Sequence, residues 1–136
     1  MGLPRIVLVA VLATALLVAC GAGDRAVATW DLAPTQVLDS DVTQLTMLVT
    51  RLGCNNGATG TVNQPEIRIT DDEVVLTFTV SPGPPEAATC PGNDAVAYVV
   101  ELPESLGARA LMDGACRAAE IVDALPCSRG GDRRTP

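Results

Sequence analysis

Cysteine is the residue type in this chain whose chemistry is most evident. The five cysteines lie far apart, and no two of them form the C-x-x-C spacing that is typical of zinc sites and redox-active pairs; they are Cys20, Cys54, Cys90, Cys116 and Cys127. The chain contains no histidine and no lysine. These absences exclude Ser-His and Cys-His nucleophile pairs, Schiff-base chemistry and a P-loop. We therefore expect no cofactor and no metal ion.

Cys20 differs from the other cysteines because it directly follows an apolar segment. Residues 6–19 consist of Ile, Val, Leu and Ala apart from Thr14, and Arg5 is the one charged residue before them. A membrane-spanning helix needs about 20 apolar residues. A shorter apolar run behind a positive charge is typical of a secretory signal peptide. We therefore predict a signal peptide over residues 1–19.

The residues that end this segment resemble the lipobox of bacterial lipoproteins. Leu17-Val18-Ala19-Cys20 has a large aliphatic residue, two further residues of which the last is small, and then a cysteine. An ordinary signal peptidase requires a small residue where Leu17 stands, although cleavage one or two residues after Cys20 stays open as the alternative. The resemblance implies that Cys20 carries a diacylglycerol thioether and becomes the first residue. Two or more acyl chains anchor a protein stably to a membrane.

The number of cysteines agrees with an exported protein. If Cys20 carries lipid, four cysteines remain, and outside the cytoplasm four thiols form two disulfides. Four cysteines allow three pairings, which the count alone leaves open. The predicted hairpin described next favours Cys54 with Cys90, and the predicted C-terminal helix favours Cys116 with Cys127.

Alternating apolar residues predict a mainly β domain. The clearest signal is a hairpin over residues 66–81, with alternating apolar positions on both sides of the Asp71-Asp72 turn. Residues 43–52 and 95–102 predict two further strands. Cys54 precedes the hairpin and Cys90 follows it, so a bond between them would clamp the sheet. The acidic turn residues lack the oxygen spacing of a known calcium loop.

The sequence of residues 117–136 predicts a short helix followed by a tail. Ala118, Ile121, Val122 and Leu125 have helical spacing over residues 117–125, which Cys116 and Cys127 flank. Residues 128–136 are polar and predict a disordered tail. The predicted fold is thus a small antiparallel sheet or sandwich with one short C-terminal helix and two disulfides.

The domain organisation follows from these elements. Residues 1–19 form the signal peptide, 20–41 the lipidated N-terminus and tether, 42–127 the β-rich extracytoplasmic domain, and 128–136 the tail. Within 20–41, Trp30 and Leu32 are equally consistent with the tether and with an edge strand.

Residues 100–116 (VELPESLGARALMDGAC) resemble a motif of small uncharacterised lipoproteins and secreted proteins of actinobacteria, V-x-L-x-x-P-L-G-x-R-x-L-x-D-G. Ser105 stands where that motif has proline, and Ala108 where an acidic residue is common. The resemblance covers about residues 50–116 and implies an extracytoplasmic β-rich domain with no known activity. Arg109 could contact a carboxylate or phosphate ligand, although an arginine in such a loop more simply pairs with a nearby carboxylate.

The net charge of the chain limits the classes of molecule that it is expected to bind. Sixteen acidic residues against nine basic ones give a net charge of −7, which disfavours nucleic acid as a partner. We expect a non-enzymatic module, lipid-anchored on the outer face of the cell membrane, that binds a protein or a cell-wall component. A carrier of a small apolar ligand is the alternative, and a carboxylate-dependent hydrolase is a remote one.

Overall fold

The structure, a computed structural model, describes residues 24–118, 121 and 124–133, and seven β-strands are its main regular elements. The strands are β1 (Ala26–Leu32), β2 (Gln44–Arg51), β3 (Thr61–Val62), β4 (Glu66–Ile69), β5 (Glu73–Ser81), β6 (Val96–Glu101) and β7 (Ala110–Asp113). Two 3₁₀ turns, Gly114–Arg117 and Leu125–Cys127, follow them. The predicted mainly β fold is confirmed.

The long strand β5 connects the two parts of the sheet. Antiparallel pairing runs in the order β3-β5-β1-β2-β6, and β4 pairs with β5 in the same sense. The last strand, β7, pairs with β5 in parallel. The sheet curls strongly. The rings of Phe78 on β5 and Tyr98 on β6 meet edge to face with 5.4 Å between their centroids, although β1 and β2 lie between these strands in the sheet. The antiparallel sheet is thereby nearly closed into a barrel.

Alternation along the strands fills the interior of this barrel. On β2 the side chains of Leu45, Met47 and Val49 point inward and are fully buried, whereas the residues between them are partly exposed. The predicted apolar face of β5 is also buried without remaining exposure; its residues are Val74, Leu76, Phe78 and Val80. Burial of such side chains stabilises a fold by about 1.5–3 kcal/mol each, so this core is the main source of stability.

The predicted hairpin and the two further predicted strands are confirmed. Ile69 of β4 faces Val74 of β5, and the backbone N–H of Thr70 donates to the carbonyl of Glu73 across the turn. Strands β2 and β6 fall within the ranges predicted for them and pair with each other. On β6, Val100 is buried while Val99 is 51% exposed, in agreement with the predicted alternation.

The structure differs from the sequence analysis within the predicted tether. Strand β1 lies between β2 and β5, in the interior of the sheet and not at its edge. Trp30 is fully buried there, and its Nε1–H donates to the carbonyl of Leu76 at 3.0 Å. The strand was hard to detect because Ala26 and Ala28 fill its inward positions, and alanine is also common in spacers.

Around the α-helix predicted over residues 117–125, the described residues form two 3₁₀ turns, Gly114–Arg117 and Leu125–Cys127, while residues 119, 120, 122 and 123 lie outside the described part. The Cα atoms of Cys116 and Cys127 are 5.2 Å apart, whereas an α-helix over residues 117–125 would separate its ends by about 13 Å. The disulfide therefore requires the chain to reverse between the two cysteines. Backbone hydrogen bonds from Ile121 to Ala118 and from Ala124 to Ile121 form this reversal.

The stretch predicted to be a disordered tail contains ordered residues. Asp132 forms an antiparallel bridge with Met112, and the backbone N–H of Arg133 donates to the carbonyl of Leu111 at 2.8 Å. Gly131 is buried with φ +82°, and a Cβ there would lie 2.8 Å from the Cβ of Cys116. Residues 131–133 thus pair along β7 because glycine allows the close approach. Residues 134–136 lie outside the described part.

Candidate functional site

Cys20 and the predicted signal peptide lie outside the described residues, so lipidation stays a prediction. The first strand begins at Ala26, six positions after Cys20 in the sequence. No helix in the described part of the chain is both long and apolar enough to cross a membrane.

Two disulfides join the cysteines in the predicted pairing. Cys54, which follows β2, is bonded to Cys90, with 4.7 Å between their Cα atoms. Cys116 is bonded to Cys127 beyond β7. Disulfides persist in oxidising compartments and are rare in the cytosol, which supports an extracytoplasmic location.

Arg109 is engaged within its own loop. Its guanidinium forms an ion pair with Glu104, Nη2 to Oε1 at 2.5 Å, and its Nη1 donates to the carbonyl of Ser105 at 3.0 Å. These contacts stabilise the loop before β7. A ligand role for Arg109 stays a prediction.

Two arginines contact Glu73, the first residue of β5, which follows the acidic turn Asp71-Asp72. Glu73 accepts a hydrogen bond from Arg117 and lies 3.6 Å from the guanidinium of Arg68. The hydrogen bond from Arg117 is the main cause that lowers the pKa of Glu73, aided by the charges of both arginines against a desolvation cost. Among the described residues, no three metal-ligating side chains come together.

A cavity of about 400 Å³ opens at the end of the barrel where β1 begins and β2 ends. Ala26 and Val27 form one wall, and the loop 84–88, which contains Pro84 and Pro85, forms the other. Arg51, Gly53 and Cys54 line it between these walls. No sequence pattern predicted this cavity.

Arg51 is the charged residue buried beside the cavity, with 2% of its surface exposed. Its Nε donates to the carbonyl of Thr59 at 3.1 Å, its Nη1 to that of Gly83 at 3.4 Å, and its Nη2 to that of Pro82. None of the ion pairs among the described residues involves Arg51. Arginine is always charged in proteins, so this guanidinium is a buried positive charge whose hydrogen bonds go to backbone carbonyls.

Hydrogen bonds beside the disulfide Cys54–Cys90 join the segment that follows β2 to residues 89–93, which follow the loop 84–88. The amide nitrogen of Asn93 donates to the carbonyls of Gly53 and Arg51, at 2.7 and 3.0 Å. Asn56 and Thr89 exchange hydrogen bonds through backbone and side-chain atoms. The cavity is therefore bounded by segments whose ends are fixed.

A signal for this site was present in the predicted strand over residues 43–52. Arg51 continues the inward series Leu45, Met47, Val49 at spacing two, and a charged residue at a core-facing position is rarely fully buried without a partner. That break in the alternation was the feature that could have identified the site.

A second buried charged group lies where β1 and β7 separate along β5. The carboxylate of Asp113 accepts hydrogen bonds from Thr29 Oγ1 at 2.5 Å, from the backbone of Ala115 at 3.0 Å and from Arg133 Nη2 at 3.1 Å. Burial raises the pKa of Asp113 and outweighs the hydrogen bonds and the positive charge, which lower it. These contacts join three chain segments, so we assign the group a structural role.

Comparisons with known proteins place this chain in no family: no protein-family model, no curated protein and no solved structure matches it.

Proposed function

We propose that this protein is a lipid-anchored module on the outer face of the cell membrane that binds a protein or cell-wall component without catalysing a reaction. The observation that carries the proposal is the pairing of the four cysteines Cys54–Cys90 and Cys116–Cys127. This pairing leaves Cys20, at the end of a lipobox-like sequence, as the one remaining cysteine.

The short connection between Cys20 and β1 supports a role close to the membrane. Six residue steps separate Cys20 from Ala26, and an extended chain of that length spans at most about 20 Å. An acylated Cys20 would hold the start of β1 within that distance of the bilayer surface. A partner for the module is therefore expected at the membrane or in the innermost layer of the cell wall.

Binding is favoured over hydrolysis by the surroundings of the carboxylates. Hydrolysis by paired carboxylates requires two of them on opposite sides of a bound substrate. Of the residues that line the described cavity, Glu86 alone carries a carboxylate. Asp113 and Glu73 are held by Arg133 and Arg117 at other places in the fold.

Membrane fractionation combined with crosslinking tests the proposal. We expect the wild-type protein to sediment with membranes, and Cys20→Ala to lose that attachment because it has no sulfur to acylate. Crosslinking in intact cells should connect the wild-type protein to an envelope component, with the Cys20→Ala variant as the matched control. Equal membrane attachment of both proteins would contradict the lipid anchor. Hydrolysis of an envelope polymer by the purified protein would contradict the non-catalytic role.

A small-ligand carrier is the second candidate function. The cavity beside Arg51 favours it, because about 400 Å³ falls in the volume range of small-molecule sites in proteins.

A further inference from the structure

We infer that the cavity beside Arg51 binds a small aliphatic carboxylate, with the hydrocarbon chain between β1 and the loop 84–88 and the carboxylate toward the guanidinium. The inference deepens the second candidate function, the ligand carrier. It specifies the chemical class of the ligand from the walls and the charge of the cavity.

The walls of the cavity suit an apolar chain. Val27 occupies an outward-facing position of β1 with 41% of its surface exposed, and its side chain lines the cavity. Opposite it, Pro84 and Pro85 and the methyl groups of Ala87 and Ala88 present carbon atoms. A hydrocarbon chain that covers these surfaces removes apolar area from water, which is the main source of affinity in sites of this kind.

The charge of Arg51 selects the group at the end of that chain. A guanidinium has five N–H donors, and three hydrogen bonds to carbonyls are observed here. None of the ion pairs among the described residues includes Arg51. A buried positive charge attracts an anion because its surroundings screen it weakly. A carboxylate also matches the planar geometry of the guanidinium.

Glu86 is placed to modulate this selectivity. It lines the cavity from the loop 84–88 and is exposed to solvent. Its negative charge disfavours a second anion nearby, although solvent screens the repulsion. Neutralising Glu86 should therefore strengthen the binding of a carboxylate and leave that of an uncharged ligand unchanged.

The position of the cavity in the chain places it near the expected source of such ligands. Ala26 and Val27, which line it, lie six and seven positions after Cys20. If Cys20 is acylated, the cavity lies close to the bilayer surface, where aliphatic carboxylates accumulate because their chains are apolar.

Binding of octanoate, with 1-octanol as the uncharged control, tests the inference. The protein is the full chain with Cys20→Ser, which carries no lipid, with both disulfides oxidised and no detergent. NMR titration at neutral pH follows the methyl groups of Val27, Ala87 and Ala88. We expect saturable shifts at these methyls, with octanoate binding at least about tenfold more tightly than 1-octanol, because charge-assisted hydrogen bonds add that much affinity.

Two substitutions on exposed valines form a matched pair. Val27→Phe fills the cavity from its wall and should reduce octanoate affinity at least about tenfold through the loss of the site. Val99→Phe makes the same change on β6, where Val99 is 51% exposed and is not a residue of the cavity, and should leave affinity unchanged. Glu86→Gln should tighten octanoate binding about two- to threefold and leave 1-octanol unaffected.

Shifts confined to the cavity methyls, a preference for octanoate and the Val27→Phe loss together support the inference. The absence of saturable shifts at these methyls would overturn it, and equal affinity for octanoate and 1-octanol would overturn the role of Arg51. The titration contains no membrane, so its failure leaves the lipid anchor untouched, and failure of the anchor leaves the titration interpretable.

Discussion

The guanidinium of Arg133 lies 3.1 Å from the fully buried carboxylate of Asp113, Nη2 to Oδ2. Arg133 also donates through Nε to the carbonyl of Trp30 at 2.7 Å, and its Cζ lies 5.9 Å from the centre of the indole ring. The last described residue of the chain thereby contacts the first strand and the end of the last one. The sheet is joined at this point by charged side chains in addition to strand pairing.

We predict that Asp113→Ala lowers the free energy of unfolding by about 3–5 kcal/mol, because it removes the buried partner of the Arg133 charge and leaves only the exposed Asp31 beside it. Asp31→Ala is the matched control: Asp31 lies 3.4 Å from the same guanidinium but its side chain is 75% exposed, so we expect a loss below about 1 kcal/mol. Urea unfolding followed by the fluorescence of Trp30, the single tryptophan, measures both. Equal losses in the two variants would contradict the assignment.

The raised pKa of Asp113 predicts a pH dependence of stability with a defined sign. A carboxyl group that holds its proton more tightly in the folded state favours folding below its unfolded pKa of 3.8, and this contribution is lost as the pH rises through the folded pKa. We therefore expect the wild type to lose stability relative to Asp113→Asn between pH 4 and neutral pH. Unfolding free energies measured across this range provide the comparison. Parallel pH profiles for the two proteins would contradict it.

Glu73 predicts the opposite behaviour at acidic pH. Its pKa is lowered chiefly by the hydrogen bond from Arg117, so its contribution to stability is present above its unfolded pKa of 4.5 and is lost as the pH falls through the folded pKa. In Glu73→Gln this acid-induced loss should be smaller. Acid unfolding monitored by far-UV circular dichroism tests the difference, and an unchanged acid midpoint would count against the ion pair.

The two disulfides should stabilise the protein by different amounts. The cysteines of Cys54–Cys90 are 36 positions apart and those of Cys116–Cys127 are 11 apart. Loop-closure entropy then predicts losses of about 4 and 3 kcal/mol for the double alanine variants of the first and second pair. Unfolding in urea without reductant gives both values. A larger loss for the C-terminal pair would show that contacts near Arg133 depend on it.

The sequence predicted the parts of the fold that local periodicity determines. The hairpin of β4 and β5 was recognisable because large apolar residues alternate on both sides of Asp71-Asp72. Strand β1 was not, because its inward positions are mostly small, and β7 was not because its four residues pair in parallel with a strand far away in the chain. The predicted α-helix over residues 117–125 is incompatible with the disulfide Cys116–Cys127, because the bond holds the two flanking cysteines close together.

The candidate site was less predictable than the fold. The cavity depends on how the loop 84–88 folds over the start of β1, and no local pattern encodes that arrangement. Arg51 could be placed on the inward face of its strand, but the carbonyls of Thr59, Pro82 and Gly83 that surround its guanidinium come together only in the folded chain. Cys20 differs from this cavity, because its predicted lipidation rests on the sequence and lies outside the described residues.

Mass spectrometry of the N-terminal peptide from the natural membrane-bound protein is the decisive test of lipidation at Cys20. We expect a peptide that begins at Cys20 and carries the added mass of a diacylglycerol, while Cys54, Cys90, Cys116 and Cys127 are recovered as two disulfide-linked pairs. A peptide that begins at another residue, or a Cys20 that carries no lipid, would show that the protein is not anchored in this way.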